Sequence, residues 1–325
     1  MLIAVDHGNY AIKTPNTSFT SALLELSGKA TIHETETIEF KNRVWTLSHD
    51  RIRYMRDKTQ DDRFFVLTLF AISKELEHMG IVSPLEEIDL AVGLPPEHYA
   101  TLRDKFKDYF RRGKVNYVYN DHPISVIIRH VFVFPQAFAA IAPRAQDMLD
   151  MPRAFIIDIG GYTTDVLLMR SGAPDLQFCR SLETGVITMY NPIIAQTNAK
   201  HDMLIDEEHI NAVLQNQRTG LPEDVQAFIH EAVRAHAHDI LHQLRELKVD
   251  LRANHAIFIG GGALLFRKYL GESPLLAQAE FESNPRANAI GYKLLATRQI
   301  KKMAMQPRFP QPFSPESGGI AGENV

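Results

Sequence analysis

The chain lacks the features that mark several common classes of protein. Its 325 residues contain one cysteine, Cys179, which excludes an internal disulfide and a cysteine-based zinc finger. No apolar run approaches the length of about 18 residues that predicts a membrane-spanning helix. The first apolar run ends at Asp6, which is unlike a signal peptide. A net charge of -4 provides no basic surface for nucleic acid. We therefore expect a cytoplasmic protein that binds neither membrane nor DNA directly.

The composition that remains is that of an ordinary globular protein. Hydrophobic residues make up 45% of the chain and charged residues 23%, so a sizeable core is available. A length of 325 residues suits two domains. Apolar runs of strand length alternate with longer amphipathic segments, which predicts an α/β fold.

The apolar pattern of the first half predicts many strands and three helices. We place strands at 2–5, 11–13, 19–26, 31–40, 88–93, 115–119 and 126–134, and helices at 61–79, 97–112 and 136–149. Segment 31–40 alternates without a strong apolar face, which predicts an exposed sheet edge.

The pattern then restarts in the second half. We place strands at 155–159, 165–170, 176–181 and 256–259, helices at 185–197, 207–217 and 222–248, then a short helix and a last helix at 285–303. The segment after residue 306 holds four prolines, three glycines and few apolar residues, so 306–325 is predicted to be a disordered tail.

An internal repeat links the two halves. Residues 2–13 align with residues 154–165 at an offset of 152. The alignment places Asp6 on Asp158, Gly8 on Gly160 and Tyr10 on Tyr162. Both segments run from an apolar strand through Asp and Gly into another strand. We therefore predict two similar halves, 1–150 and 151–305, whose Asp-Gly turns meet across a cleft.

The residues of these turns suit a phosphate chain with its metal. Tight glycine turns expose consecutive N–H groups, which bind anions, and both Gly8-Asn9 and Gly160-Gly161 form such turns. Lys13, on the strand that leaves the first turn, can reach back toward phosphate as a point charge. Mg²⁺ is held through one or two carboxylates and keeps most of its waters.

Two further segments complete the predicted site. Gly260-Gly261-Gly262 follows an apolar strand, and the lack of side chains lets a base or ribose lie against the backbone. Gln136 follows the strand VFVFP, where its neutral amide can orient an attacking water. Asp158 is the nearest candidate to accept the proton of that water, directly or through a second water.

Each of these elements alone has a structural explanation. Asp-Gly turns join many strand pairs, and a GGG run after a strand is a common tight turn. The chain has no GxxxxGK[ST] and no GxGxxG after a strand, so it lacks the P-loop and the Rossmann fingerprints. The functional prediction therefore rests on four elements in one order: Asp-Gly turn, Pro-Gln, Asp-Gly turn, Gly-Gly-Gly.

That order resembles the actin-like ATPase superfamily, which includes actin, the Hsp70 ATPase domain and sugar kinases. IAVDHGNYAIK resembles the phosphate-1 motif, VFPQAFAAI connect-1, FIIDIGGYTTDV phosphate-2, AIFIGGGALLF the adenosine motif and NPRANAIGYKLL connect-2. Within the superfamily, the short length and the ANAIGY ending look most like the ParM/StbA group of bacterial plasmid-segregation actins. The resemblance implies an actin-like (ribonuclease H-like) two-domain fold: a duplicated mixed β-sheet flanked by helices, with a nucleotide cleft between the halves.

The resemblance also implies a set of site residues. Gln136 and Asp158 fall on catalytic positions, and Asp6 and Asp158 on the Mg²⁺ site, through water. The nucleotide-binding positions are Asp6, Gly8, Asn9, Lys13, Gly160, Gly161, Tyr162, Thr163, Gly185, Gly260, Gly261 and Gly262. His7 and Asn9 depart from the actin pattern, which bears on the γ-phosphate contact and on pH dependence. Glu207 and Glu208 are candidates for ribose contacts.

The resemblance implies an ATPase, with GTP as the alternative nucleotide. Its protomers would stack head to tail into a filament, and ATP hydrolysis would loosen that filament. Its cargo would be plasmid or other mobile DNA, reached through a DNA-bound adaptor of the ParR type. A small-molecule kinase is the alternative, but it needs an acceptor pocket with a base. A chaperone ATPase needs a substrate-binding β domain, and a membrane-associated actin needs an apolar stripe that the tail lacks.

Overall fold

A computed structural model describes residues 1–27, 35–81 and 85–305. Within this part of the chain, residues 2–135 build a nine-stranded sheet and residues 154–281 build a five-stranded sheet. Each sheet has its own hydrophobic core, formed with the helices of its own half. The prediction for the tail lies outside the described residues.

The first sheet mixes parallel and antiparallel strands. Its strands are β1 (Leu2–His7), β2 (Ala11–Lys13), β3 (Ser18–Thr20), β4 (Ala22–Leu26), β5 (Thr37–Phe40), β6 (Arg43–Arg51), β7 (Leu85–Leu94), β8 (Gly113–Tyr119) and β9 (His122–Pro135). They lie in the order β3-β2-β1-β7-β9-β8-β5-β6-β4. Strand β7 runs parallel to both β1 and β9, so the carboxyl ends of these three buried strands meet at one edge.

Two helices cover this sheet, α1 (Arg63–His78) and α2 (Pro96–Phe110). Helix α1 is buried at every residue from 64 to 73, although its sequence predicts one apolar stripe. The ring of Phe65 explains the difference, because it lies 5.5 Å from Phe40 of the sheet and 6.3 Å from Phe110 of α2. A helix that is covered on both sides buries apolar residues all round.

The prediction of an exposed sheet edge at 31–40 is wrong for the residues that the structure describes. Strand β5 pairs with β6 on one side and with β8 on the other. Ile38 and Phe40 are buried, because this short strand presents its apolar face to α1. Strand β6, which the sequence reading missed, makes β5 an interior strand. Residues 31–34 lie outside the described residues.

A short connection joins the two halves. Helix α3 (Phe138–Ile141) continues as a 3-10 helix at Ala142–Met148. Gln136 therefore lies in the turn before α3 and not at the start of a long helix, and Ala137 has a positive φ of 61°. Pro143, which lacks an N–H donor, stands where the α-helical pattern gives way to the 3-10 helix.

The second half repeats the plan with fewer strands. Its strands are β10 (Ala154–Ile159), β11 (Thr164–Arg170), β12 (Ala173–Leu182), β13 (His255–Ile259) and β14 (Ala279–Phe281), in the order β12-β11-β10-β13-β14. Its helices are α4 (Val186–His201), α5 (Glu207–Leu214), α6 (Glu223–Glu246) and α7 (Gly261–Gly271). Strand β14, a three-residue edge strand, was missed by the sequence reading.

The last helix, α8 (Ala287–Met305), returns to the first half and packs on α3, β1 and β7. A Cβ atom on Gly291 would lie 1.8 Å from the carbonyl oxygen of Ala139, so only glycine allows α8 to approach α3 this closely. This contact fixes α8 across the junction of the two halves.

Candidate functional site

The two predicted hairpins have the same register. Asp6 is paired with Lys13 in the hairpin β1–β2, and Asp158 is paired with Asp165 in the hairpin β10–β11. Both pairs correspond at the offset of 152 that the sequence repeat gave. Each first strand also has a parallel neighbour on its other side, β7 or β13. The duplicated hairpin is thus present in three dimensions.

Most of the predicted site residues line one cavity between the halves, which we call the central cavity and which measures about 70 Å³. They are Asp6, Gly8, Asn9, Lys13, Gln136, Asp158, Gly160, Gly161, Thr163, Gly260 and Gly261. Gly262 lines a neighbouring cavity instead. Tyr162 and Gly185 do not line the central cavity, although both support its wall.

Gly185 supports the second turn from behind. Its N–H donates to the carbonyl oxygen of Tyr162 at 2.9 Å, and the next two N–H groups donate to Gly160 and Gly161. A Cβ on Gly185 would lie 2.5 Å from the carbonyl carbon of Tyr162. The ring of Tyr162 stacks on Tyr54 of the first half, with centroids 4.0 Å apart. These two residues therefore shape the second turn and join the halves.

The two turns touch across the cleft. A Cβ on Gly161 would lie 2.6 Å from the Cβ of Tyr10, which leaves no room for a side chain at that position. Within the first turn, a Cβ on Gly8 would lie 2.6 Å from the carbonyl oxygen of Ala11. The Oγ of Ser21 donates to the Gly8 carbonyl at 2.6 Å and holds the turn in place. Both turns are thus tight because glycine occupies them.

Gln136 contacts the first aspartate directly. Its Nε2 donates to Oδ1 of Asp6 at 2.9 Å, and the hydroxyl of Tyr292 on α8 donates to the same oxygen at 3.4 Å. The turn before α3 therefore places the amide inside the cavity, even though the predicted helix start is displaced.

Asp158 is buried in the second wall. Burial raises its pKa to about 6; the hydrogen bond from Asn288 lowers the pKa and the negative charge of Asp6 raises it. The Nδ2 of Asn288 donates to Asp158 at 2.9 Å, and Oδ1 of Asn288 accepts from the N–H of Ala137 at 3.0 Å. Asn288 thus ties the second aspartate to the turn that carries Gln136.

Asp165 adds a third acid to the same cavity. Burial raises its pKa to about 7, and its Oδ1 is buried without a hydrogen-bond partner among the described residues. The hydroxyl of Thr163 donates to Oδ2 of Asp165 at 3.0 Å. Asp6, Asp158 and Asp165 all line the central cavity, but the described residues contain no group of three acids, histidines or cysteines close enough to hold a metal ion directly.

The side chain of His7 does not face the cavity. Its ring stacks on Phe110 with centroids 5.1 Å apart, and its Nε2 lies 2.7 Å from Oγ1 of Thr68 on α1. Burial and the charge of Lys58 lower the pKa of His7 to about 3, so the ring is neutral at pH 7. His7 is thus buried against α1 and α2, and its bearing on the γ-phosphate contact stays a prediction.

A second cavity, of about 310 Å³, adjoins the central cavity at α4, α5 and α7, and we call it the helix-side cavity. Asn211 and Gln215, one helical turn apart, line it, together with Tyr190, whose hydroxyl donates to Oδ1 of Asn211 at 2.5 Å. The suggested ribose contacts do not line it. Glu207 pairs with Arg51 of the first half, 2.6 Å from Nη1, and Glu208 is exposed.

A third and smaller cavity, of about 30 Å³, adjoins the central cavity on the other side, and we call it the loop-side cavity. It is lined by the loop between β6 and α1, residues 54–59, and by the start of α2. Lys58 of that loop also lines the central cavity, where burial lowers its pKa to about 8 although the charges of Asp6 and Asp165 raise it. The sequence reading missed Lys58 because no motif surrounds it.

The fold and the cleft together define a two-lobed, nucleotide-binding class of protein. The model of the N-terminal domain of actin-like proteins matches residues 4–138, and the model of the C-terminal domain of archaeal MreB-like actin homologues matches residues 156–272. The chain belongs to the actin-like ATPase superfamily. No curated protein matches it.

Several solved structures have the same fold. The archaeal actin homologue Ta0583 matches with a TM-score of 0.75 and 16% identity, over 91% of this chain and 99% of that one. A ParM filament from Clostridium botulinum matches with a TM-score of 0.69 and 20% identity, over the same shares. An AlfA filament bound to AMPPNP matches with a TM-score of 0.64 and 14% identity, over 93% and 98%. The predicted actin-like two-domain fold is confirmed.

The described residues contain no helix that is both long and apolar enough to cross a bilayer.

Proposed function

We propose that this chain is an ATP-dependent, filament-forming actin homologue that segregates plasmid or other mobile DNA. The observation that carries the proposal is the meeting of two matched Asp-Gly hairpins in one cleft, beside a cavity of nucleoside size. The halves that enclose the cleft can close on a nucleotide and open after its hydrolysis.

The arrangement of the cavities gives the nucleotide a direction. A base and ribose fit the helix-side cavity, where Asn211 and Gln215 offer amides and the glycines of α7 leave the backbone open. The phosphates then enter the central cavity, between the N–H groups of the two glycine turns. ATP is the proposed nucleotide and GTP the alternative.

The residues of the central cavity support hydrolysis. Asp6 and Asp158 would hold Mg²⁺ through water, and the ion would neutralise charge on the phosphates. Gln136, held by Asp6, is placed to orient the attacking water. Asp158 is suited to accept its proton, since a base with a pKa near 6 is largely ionised at pH 7 and still basic enough to act.

Filament formation is supported by the relatives of known structure. Those with the same fold include a ParM filament, an Alp12 filament and an AlfA filament bound to AMPPNP. A contact between unlike surfaces that does not close into a ring gives an open polymer. We propose head-to-tail stacking of this chain in the cytoplasm, with a DNA-bound adaptor of the ParR type and no direct contact to DNA or membrane.

A small-molecule kinase is the second candidate, and one observation favours it. The loop-side cavity adjoins the central cavity through Lys58 and Thr163, which is where an acceptor would approach the last phosphate. High-speed sedimentation with Mg·ATP, Mg·ADP and no nucleotide separates the two functions. We expect a pellet with ATP alone, seen as filaments by negative-stain microscopy. If the protein stays in the supernatant with ATP under all salt and magnesium conditions, the kinase function would be favoured.

A further inference from the structure

The three cavities lie in a row with the central one in the middle. The helix-side and central cavities share Lys13 and the turn residue Gly161, among others. The loop-side and central cavities share Asn9, Lys58, Pro95 and Thr163. Among the described residues, the two outer cavities share none. A nucleotide whose base lies in the helix-side cavity therefore directs its last phosphate toward the loop-side cavity.

Each junction of this row carries one lysine. Lys13 stands between the helix-side and central cavities, and Lys58 stands between the central and loop-side cavities. Lys13 is thus placed near the phosphates that a diphosphate and a triphosphate have in common. Lys58 is placed near the position that only a third phosphate reaches.

Lys58 has hydrogen-bonding capacity to spare. Its ammonium group donates to the carbonyl oxygen of His7, at the end of β1, and lies 5.1 Å from the centroid of the Phe64 ring. No other hydrogen bond of this ammonium group is formed with the described residues. An ammonium group has three N–H donors, so two remain for a ligand.

The acids around Lys58 do not neutralise it by direct pairing. No salt bridge joins it to any acid that the structure describes, whereas Lys105 of the loop-side cavity pairs with Asp57 at 2.5 Å. Asp6 and Asp165 line the central cavity with Lys58 and act on it through their charge, without an ion pair. A phosphate that enters between them would meet a cation with unused donors.

We infer that Lys58 binds the terminal phosphate of a nucleoside triphosphate and so lets the site distinguish triphosphate from diphosphate. The inference rests on the proposed function. Lys13, by contrast, serves both nucleotides. The simpler explanation is that Lys58 only holds the His7 carbonyl, in which case its loss would disturb both nucleotides or neither.

The test compares three substitutions that each replace lysine by methionine, which keeps the length and removes the charge. Binding of Mg·ADP and of Mg·AMPPNP, which is not hydrolysed, is measured by calorimetry for the wild type, Lys58→Met, Lys13→Met and Lys105→Met. We expect Lys58→Met to weaken AMPPNP about tenfold or more and ADP by less than about threefold. Lys13→Met should weaken both, and Lys105→Met neither.

Three results would overturn the inference: equal losses for the two nucleotides in Lys58→Met, no loss for either, or a preferential loss in Lys105→Met. Circular dichroism and a thermal melt without nucleotide show whether Lys58→Met folds. If it does not, Lys58→Arg replaces it. The retained charge should then preserve the preference for AMPPNP, and a loss of that preference with ADP binding intact would contradict a charge-based role. A wild type that binds neither nucleotide would refute the proposed function instead.

Discussion

The two hairpins of the cleft share a scaffold and differ in charge. At matched positions, the first carries Lys13 opposite Asp6, and the second carries Asp165 opposite Asp158. The first hairpin can therefore attract phosphate, whereas the second gathers acids whose charge burial opposes. The two hairpins thus share one scaffold, and the paired position gives the first a cation, Lys13, and the second a further acid, Asp165.

The same contrast appears in what holds each hairpin. The turn after Lys13 is anchored by Glu75 of α1, whose carboxylate accepts from Thr14 and from Nδ2 of Asn16, the latter at 2.8 Å. The second hairpin is held by Asn288 of α8. The first hairpin is thus held by a helix of its own half and the second by a helix that packs on the first half, and the two turns then meet at Gly161 and Tyr10.

The largest effect is expected from Asp158→Asn. The change keeps the shape and the acceptor for Asn288 but removes the proton acceptor and a charge beside the metal, so we expect nucleotide turnover to fall about 100-fold or more. Phosphate release under saturating Mg·ATP measures this loss.

Asp175→Asn is the matched control for that change, because this partly buried acid of β12 pairs with Arg170 and lines none of the three cavities. It should leave turnover unchanged. Turnover of Asp158→Asn within about threefold of the wild type would remove Asp158 from the catalytic role.

The next effect concerns the contact between the turns. Gly161→Val would place a branched side chain against Tyr10, and overpacking of this kind costs about 1–3 kcal/mol. We expect nucleotide affinity to fall about fivefold or more, since the halves must separate. Gly271→Ala, at a glycine with nothing within 4 Å of the added Cβ, is the control. Unchanged affinity of Gly161→Val would show that the turns need not touch.

The charge difference between the hairpins predicts a pH dependence of stability. In the folded chain the pKa is about 6 for Asp158 and about 7 for Asp165, whereas the ordinary pKa of both groups, which applies in the unfolded chain, is 3.8. The folded state thus binds more protons in this window, so the contribution of both groups to the free energy of unfolding falls as pH rises.

Asp165→Asn tests that dependence, since the amide cannot ionise. Its stability relative to the wild type should increase by about 1 kcal/mol or more between pH 4 and pH 8, measured by urea unfolding. Asp175→Asn should show the opposite trend, because the hydrogen bond from Arg170 lowers the pKa of Asp175. A pH-independent difference for Asp165→Asn would mean that Asp165 is ionised in the folded protein throughout.

The smallest effect is expected at the rim of the cleft. Arg51 of the first half and Glu207 of the second form a bidentate ion pair with side chains about one-fifth exposed. Partly exposed pairs contribute about 0.2–1 kcal/mol, so Arg51→Met should weaken nucleotide binding by about two- to fivefold. Glu207→Gln should do the same. A double variant whose loss equals the sum of the single losses would show that the pair does not close the cleft.

Local patterns were enough to predict the hairpins. A strand, an acid and a glycine turn follow one another in the chain, so Asp6, Gly8, Asp158 and Gly160 were found with their neighbours. The fold class followed from the order of such segments and from their resemblance to a known family.

The remaining parts of the site come from contacts that are distant in sequence. Lys58 meets His7 across 51 residues and Asn288 meets Asp158 across 130, and neither separation leaves a periodic signal. Asn288 does lie within NPRANAIGYKLL, the segment that resembles connect-2. Its polar side chain in that segment is a signal that could have identified it as a site residue. Strand β5 was assigned to an edge because its partner β6 was not recognised, and edge position depends on pairing.

The most direct test of the central claim is a crystal structure of the chain with Mg·AMPPNP. The account predicts phosphate density between the turns Gly8-Asn9 and Gly160-Gly161, with the base toward Asn211 and the terminal phosphate toward Lys58. Phosphates bound elsewhere on the molecule, or a nucleotide in the reverse direction along the cleft, would contradict it.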